Sequence, residues 1–117
     1  MWVDHLRVGD ASLADALRAG QVATHPFVIG ELACGNLKSR EMVLSLLRAL
    51  PRVPVADDDE ALFFIEQNAL KGCGIGYIDA HLLAATAIAA PTRLWTHDKR
   101  LDAIAAELEL AHLADAA

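Results

Sequence analysis

The amino-acid sequence predicts an α/β domain in which helices flank a mostly parallel sheet. Segments with helical hydrophobic spacing alternate along the chain with short extended runs, and the repeated order of strand, helix and strand implies right-handed parallel connections. At 117 residues the chain can bury a hydrophobic core of its own, and it shows neither an internal repeat nor a low-complexity linker. We therefore predict a single domain that spans residues 1–117.

Hydrophobic residues at helical spacing mark the helices. The predicted helices cover 10–19, 26–37, 39–50, 60–71 and 77–90, and a last helix follows Asp98. Gly20 and Gly72 are expected to end the helices before them, and Pro26 stands at a first helical position, where proline is tolerated. Ser39 is expected to cap the third helix.

Each predicted helix presents a face that should pack into the core. In the third helix this face consists of Met42, Val43, Leu46 and Leu47. In the fourth helix it consists of Leu62, Phe63, Ile65, Ala69 and Leu70. In the last helix it consists of Leu101, Ile104, Ala105 and Leu108. The helix that begins at Tyr77 has almost no polar residue, so it is expected to be largely buried.

Short extended runs between the helices are the strand candidates. They cover 21–24, 52–55, 92–96 and 110–113. Because Pro54 cannot donate a hydrogen bond to a ladder, the run that contains it is expected at an edge of the sheet.

Composition and charge argue against several classes of protein. Residues 1–5 have neither a basic region nor an apolar run, so no signal peptide is expected, and the low-polarity segment 77–90 is too short to span a membrane. Cys34 and Cys73 form no Cys-x-x-Cys motif, which predicts reduced thiols in a cytoplasmic protein. The five histidines lack zinc spacing. The net charge of −6 argues against a broad basic surface for nucleic acid.

The acidic residues fall into two groups. The run 57–60 is interpreted as the cap and charge complement of the helix that follows it, because charges this dense normally lie in solvent. Glu31 shares a helical stripe with apolar neighbours, although an edge position beside solvent would also explain it. Asp79 lies in the first turn of an apolar helix whose N-cap is Gly76, and a simple match to the helix dipole is the alternative to a function.

Glu31, Asp79 and Asp98 are the candidate site residues. Each follows a predicted strand or begins a helix, and ligands of open α/β sheets bind beyond the carboxyl ends of the strands. Carboxylates that cluster in a cleft need a cation to stay ionised, and a ligand set of oxygens alone suits Mg²⁺ or Mn²⁺. With phosphate as substrate, the expected chemistry is attack of metal-activated water on a phosphodiester.

Three blocks of the sequence resemble PIN-domain ribonucleases. They are residues 26–32 (PFVIGEL), 74–83 (GIGYIDAHLL) and 94–101 (LWTHDKRL). Within that family the sequence is most similar to VapC-type toxins of bacterial toxin–antitoxin operons. The resemblance implies a three-layer α/β/α fold and an endoribonuclease that needs Mg²⁺ or Mn²⁺, forms a homodimer and is inhibited by a cognate antitoxin. It also implies that Glu31, Asp79 and Asp98 are metal-binding catalytic carboxylates, with Thr96 as a supporting hydroxyl.

One part of the family pattern is missing. The family normally begins with a hydrophobic strand that ends in an Asp-Thr-Ser-type motif, whereas residues 2–7 (WVDHLR) match only a later segment. We therefore expect that Met1 occupies the position of a valine in a longer protein, encoded by an internal GTG codon, which the intact mass of the native product would decide. Asp4 could substitute for the missing aspartate, but it belongs to the helical segment that follows in the family.

Two other functions stay open on these residues. The missing aspartate suggests a non-catalytic PIN-like module that binds an antitoxin. A metal-independent nuclease would use His81 or His97 as a general base. Several basic residues near the predicted acidic end could steer an RNA backbone, namely Lys38, Arg40, Lys71, Lys99 and Arg100.

Overall fold

The structure, a computed structural model, describes Trp2 and residues 9–112. Asp4, the possible substitute ligand, lies outside this described part of the chain, as does Leu113 at the end of the last predicted strand. The chain divides into two compact units, the first ending at Val53 and the second beginning at Pro54. The single domain predicted for residues 1–117 stays a prediction.

Helices dominate both units. The first unit contains α1 (Ala11–Arg18), α2 (Pro26–Ala33) and α3 (Arg40–Ala49). The second contains α4 (Asp58–Gln67), α5 (Tyr77–Ile88) and α6 (Lys99–Glu107). All of the helices predicted within the described residues are therefore present. In that part of the chain no helix is long and apolar enough to cross a membrane.

The core of the first unit lies between α2 and α3. Ile29 and Leu32 of α2 pack in one cluster with Leu44 and Leu47 of α3. Helix α2 ends at Ala33, earlier than the predicted Leu37. Its end is fixed by Arg40, whose Nη2 donates to the carbonyl of Ala33 over 2.6 Å and whose Nη1 donates to that of Gly35 over 3.2 Å. These bonds satisfy carbonyl groups that the end of the helix leaves without partners.

The predicted core face of α3 was partly wrong. Met42 and Leu46 are 60% and 62% exposed, while the buried residues are Leu44 and Leu47. Adjacent apolar residues allow two alternative faces, and contact with α2 selects the one that carries Leu44. Ser39 precedes α3 as predicted but does not cap it with its side chain, because it adopts a left-handed conformation with φ of 52°.

The core of the second unit is built around α5 and α6. Leu83 is fully buried and clusters with three residues of α6, namely Leu101, Ile104 and Ala105. Leu70, which lies between α4 and α5, and Ala111, which follows α6, complete the cluster. This confirms the predicted burial of α5 and the core face of α6, of which Leu108 is half-buried. Thr86 in α5 is buried and donates to the carbonyl of Leu82 over 2.7 Å, so its hydroxyl is satisfied within the helix.

Helix α4 begins and ends earlier than predicted. Asp57 caps it: its Oδ1 accepts from the main-chain N of Glu60 over 2.7 Å, and Glu60 Oε1 accepts from the main-chain N of Asp57 over 3.0 Å. The reading of the acidic run as a cap is thereby confirmed. The helix ends at Gln67 rather than near Gly72, because Asn68 donates its side-chain amide to the carbonyl of Phe64 and Ala69 turns left-handed.

The predicted core face of α4 and the residues after it was partly wrong. Ile65 and Leu70 belong to the core as predicted, whereas Leu62 and Phe63 are 54% and 68% exposed and Ala69 is exposed as well. Ala61 is buried and Phe64 packs against the core, although neither was predicted to do so. Helix α4 packs against α5. A run of adjacent apolar residues covers more than one face of a helix, so part of it must lie outside the contact with the neighbouring helix.

Two pairs of strand candidates meet in parallel, each through a single bridge. Thr24 pairs with Arg52, since its N donates to Pro51 O over 2.8 Å and Val53 N donates to its carbonyl over 3.0 Å. Leu94 pairs with Ala111 in the same way. Between Pro51 and Pro54 few N–H groups are left to extend a ladder. Residues 9–112 therefore do not display the continuous parallel sheet that was predicted.

Candidate active site

Asp79 lies at the start of the buried helix of the second unit, as predicted. Gly76 is the N-cap of α5, with φ of −87° and ψ of 174°, and has no side chain with which to cap the helix. Asp79 is the one acidic residue of the first turn and is half-buried. The free N–H groups of that turn and the positive end of the helix dipole favour its ionised form. The position therefore offers a carboxylate with restricted exposure to water.

Asp98 is the N-cap of α6. Its Oδ1 accepts from the main-chain N of Leu101 over 3.0 Å, and its own main-chain N donates to Thr96 Oγ1 over 3.1 Å. The side chain is exposed. Since the cap uses Oδ1, Oδ2 is left for a ligand. Thr96 thus holds the main chain of Asp98, which is compatible with the supporting role predicted for its hydroxyl.

Glu31 belongs to the first unit, where it lies in α2 with its side chain exposed. An exposed carboxylate needs no partner in the protein, so the edge position considered for it accounts for its presence on that helix. Helix α2 begins as predicted at Pro26, and His25 caps it: its Nδ1 accepts from the main-chain N of Phe27 over 3.0 Å. Histidine is not among the preferred capping residues, so this role could not be predicted from the sequence.

A divalent ion has to be judged against the donors that are present. Among the described residues, no group of three or more His, Cys, Asp or Glu side chains could hold a metal ion. Mg²⁺, however, usually keeps several waters and takes one or two protein carboxylates together with phosphates of the substrate. Asp79 and Asp98 supply only oxygen donors, which is the chemistry that Mg²⁺ and Mn²⁺ require. The donor set of the second unit therefore fits such an ion.

Two of the basic residues considered for RNA have structural contacts instead. Arg40 caps the end of α2, as described above. Arg100, in the first turn of α6, donates from Nη1 to the carbonyl of Gly74 over 3.4 Å. Neither contact could be predicted from the sequence, because each joins a flexible side chain to a main-chain carbonyl outside its own helix. Lys38, Lys71 and Lys99 are exposed.

Tyr77 joins the start of α5 to the start of α4. Its hydroxyl donates to Asp58 Oδ1 over 3.2 Å, and its ring meets that of His81 edge to face at 4.5 Å. Partial desolvation and then the Asp58 carboxylate raise the pKa of Tyr77 above its ordinary value. His81 itself is buried, with 3% of its surface exposed, so an RNA substrate has little access to it as a general base. His97 is exposed.

A cavity of about 460 Å³ opens between α4 and α5. It is lined by Asp59, Glu60, Phe63, Phe64, Ala84, Ala87 and Ile88. None of the candidate ligands lines it. Its walls are mainly apolar, whereas a phosphodiester and a hydrated cation need polar groups, so the reaction is not assigned to this cavity.

Comparison with known proteins gives the family. Residues 2–107 match the PIN domain. The chain belongs to the PIN-domain family. It is 44% identical over 111 residues to the protein named Ribonuclease VapC32 in Mycobacterium tuberculosis strain CDC 1551 / Oshkosh. The matched residues cover 95% of this chain and 90% of that protein. The same identity and coverage hold for Ribonuclease VapC32 of strain ATCC 25618 / H37Rv. No solved structure matches the chain.

These matches confirm the resemblance to VapC-type PIN ribonucleases. The PIN family also implies an α/β fold. The matched region includes the three blocks that carried the resemblance, and with them Glu31, Asp79 and Asp98.

Proposed function

We propose that this PIN-domain protein is a Mg²⁺- or Mn²⁺-dependent endoribonuclease and the toxin of a toxin–antitoxin pair. The observation that carries the proposal is the 44% identity to Ribonuclease VapC32 over 95% of the chain. The placement of Asp79 and Asp98 at two helix N-termini of one unit supports it. A non-catalytic module that binds an antitoxin would show the same placement, and the experiment below separates the two.

The proposed ligands are Asp79 and Asp98, with Glu31 included on the strength of the family motif. When bound, the metal would activate water for attack on an RNA phosphodiester and stabilise the charge that develops on the phosphate. Asp79 presents its carboxylate from the first turn of α5, where the helix dipole favours a negative charge. Asp98 presents Oδ2 while its cap fixes the side chain, and Thr96 restrains the main chain of Asp98. Asp98 therefore binds the ion from a side chain that its cap already orders, and Asp79 binds it from the first turn of a buried helix.

A protein antitoxin and a second copy of the chain are the proposed partners, by analogy with the family. The large apolar side chains exposed on the helices supply surface for such contacts, among them Met42, Leu46, Leu62, Phe63 and Ile88.

The decisive experiment measures cleavage of RNA with and without Mn²⁺ for the wild type, Asp79→Asn and Asp102→Asn. Asp102 is a matched control, since it also lies in the first turn of a helix of the second unit and loses the same charge. We expect Mn²⁺-dependent cleavage by the wild type and by Asp102→Asn, and a loss of about 100-fold or more for Asp79→Asn, the scale of losing an electrostatic contribution to the transition state. Equal rates for the two variants would reject the assigned site. Antitoxin binding without cleavage by the wild type would favour the non-catalytic module.

A further inference from the structure

The side chain of Arg100 joins the first turn of α6 to the loop before α5. Arg100 lies in the first turn of α6, and its Nη1 donates to the carbonyl of Gly74 in the loop before α5. A Cβ atom at Gly74 would lie 3.0 Å from Cδ and 3.1 Å from Cζ of Arg100, and it would overlap Nη1. The arginine side chain therefore lies directly across the main chain of Gly74.

Glycine is needed at position 74 for two reasons. Its φ of 82° is a left-handed conformation that other residues rarely adopt, and a side chain there would displace Arg100. Gly76 cannot cap α5 with a side chain. The loop and the start of α5 are held by Ile75, which packs against the core of the second unit, by Arg100 from α6 and by the bond of Tyr77 to Asp58 of α4.

We propose that Arg100 is a positioning residue for the Asp79 carboxylate, acting by holding the loop before α5 against the first turn of α6. The inference rests on the proposed function, in which Asp79 is a metal ligand. Arginine suits this role better than lysine because its planar guanidinium can lie flat on a glycine while it donates to the carbonyl. The ammonium group of lysine provides no such plane.

Loss of a positive charge and loss of a positioning contact should change the Kd for Mn²⁺ in different directions. A positive charge near carboxylates opposes the binding of another cation, so removal of a charge alone should tighten the binding of Mn²⁺ or leave it unchanged. Loss of a positioning contact should weaken that binding instead. Lys99 provides the matched control, since it is an exposed cation in the same turn of α6.

The test compares Arg100→Met, Arg100→Lys and Lys99→Met with the wild type. Amide hydrogen exchange of residues 73–79 is measured without metal, and the Kd for Mn²⁺ is measured by titration calorimetry. For Arg100→Met we expect exchange in the loop to accelerate, and the Kd to rise, by about threefold to tenfold, the range for losing one hydrogen bond. Arg100→Lys should fall between Arg100→Met and the wild type. Lys99→Met should leave exchange unchanged and the Kd unchanged or lower.

A thermodynamic cycle with Gly74→Ala checks that the arginine acts through the glycine. Because the new Cβ displaces Arg100, adding Arg100→Met to Gly74→Ala should not raise the Kd for Mn²⁺ further. An additive effect would overturn the proposed route. If Gly74→Ala does not fold, the comparison of Arg100→Met with Lys99→Met decides alone.

Other outcomes would overturn the inference. A Kd for Mn²⁺ that stays at the wild-type value in Arg100→Met, with or without a rise in the KM for RNA, would exclude positioning, and a raised KM would make Arg100 a phosphate contact. A Kd that Asp79→Asn leaves unchanged would contradict the proposed function itself, and the inference would fall with it.

Discussion

Asp98, Thr96 and Asp79 at the proposed site each stabilise a helix end or the segment before it, and none of these interactions requires a ligand. Asp98 caps α6 through Oδ1, and Thr96 accepts from the main-chain N of Asp98. Asp79 lies in the first turn of α5, where a negative charge stabilises the helix. These positions could be predicted because a cap and a first turn depend on residues a few positions apart in the chain. The contact of Arg100 with Gly74 could not, since it joins residues of different segments.

Two substitutions can separate the role of Asp98 as the N-cap of α6 from its proposed role as a metal ligand. Asp98→Asn keeps an oxygen that accepts from Leu101, so its Tm should stay close to that of the wild type, whereas Asp98→Ala loses the cap at a cost of about 1 kcal/mol. For a chain of 117 residues, that cost corresponds to a fall in Tm of roughly 4 °C. Both variants should lose most of the Mn²⁺-dependent cleavage. Thermal unfolding and a cleavage assay check the two effects, and full activity in Asp98→Asn would show that the charge is not needed.

At the scale of elements, the helices were easier to predict than their buried faces. Their positions follow from hydrophobic spacing and from residues such as Pro26 and Gly76, which act locally. The face of α4 was ambiguous because residues 62–65 are all apolar. Packing against the core of the second unit covers Phe64 and leaves Phe63 exposed. A periodicity argument contains no information about the neighbouring helix, so this part of the core could not be derived from it.

The cap of α4 gives a prediction at this scale. Asp57→Ala removes the acceptor for Glu60 N and one half of a reciprocal pair of bonds, so it should lower the free energy of unfolding by about 0.5–2 kcal/mol. Asp59→Ala, in the first turn of the same helix, removes a charge but no capping bond and should cost about 0.3–1 kcal/mol. Denaturant unfolding of both proteins provides the measurement. A larger loss for Asp59→Ala would contradict the assigned cap.

At the scale of the whole molecule, the two units differ in their cores but can still unfold in a single transition. Each has its own buried cluster, one around Leu47 and the other around Leu83. A single domain would unfold both clusters in one transition, whereas independent units would unfold at different denaturant concentrations. The chain contains a tryptophan in each unit, since Trp2 packs against the first cluster and Trp95 lies in the second unit, stacked on His112 at 4.3 Å. The two indoles can therefore report on the two units separately.

We predict one shared transition. In Trp2→Phe the fluorescence reports on Trp95, and in Trp95→Phe it reports on Trp2. Ile104→Val, added to both proteins, should cost about 0.5–1.5 kcal/mol and shift both unfolding curves by the same amount, although Ile104 belongs to the second cluster alone. Fluorescence in guanidinium chloride gives the midpoints. A shift confined to the Trp95 signal would show that the units unfold independently.

The cap formed by Asp98 has a practical consequence for how such a protein responds to chelation. Where metal ligands are otherwise unsatisfied, removal of the ion unfolds the site, as in zinc fingers. Here the cap at Asp98 and the contacts of Tyr77 and Arg100 at the start of α5 are formed between protein atoms alone, so they do not require a metal ion. After chelation the protein should therefore stay folded and inactive, and its activity should return when the divalent cation is added back.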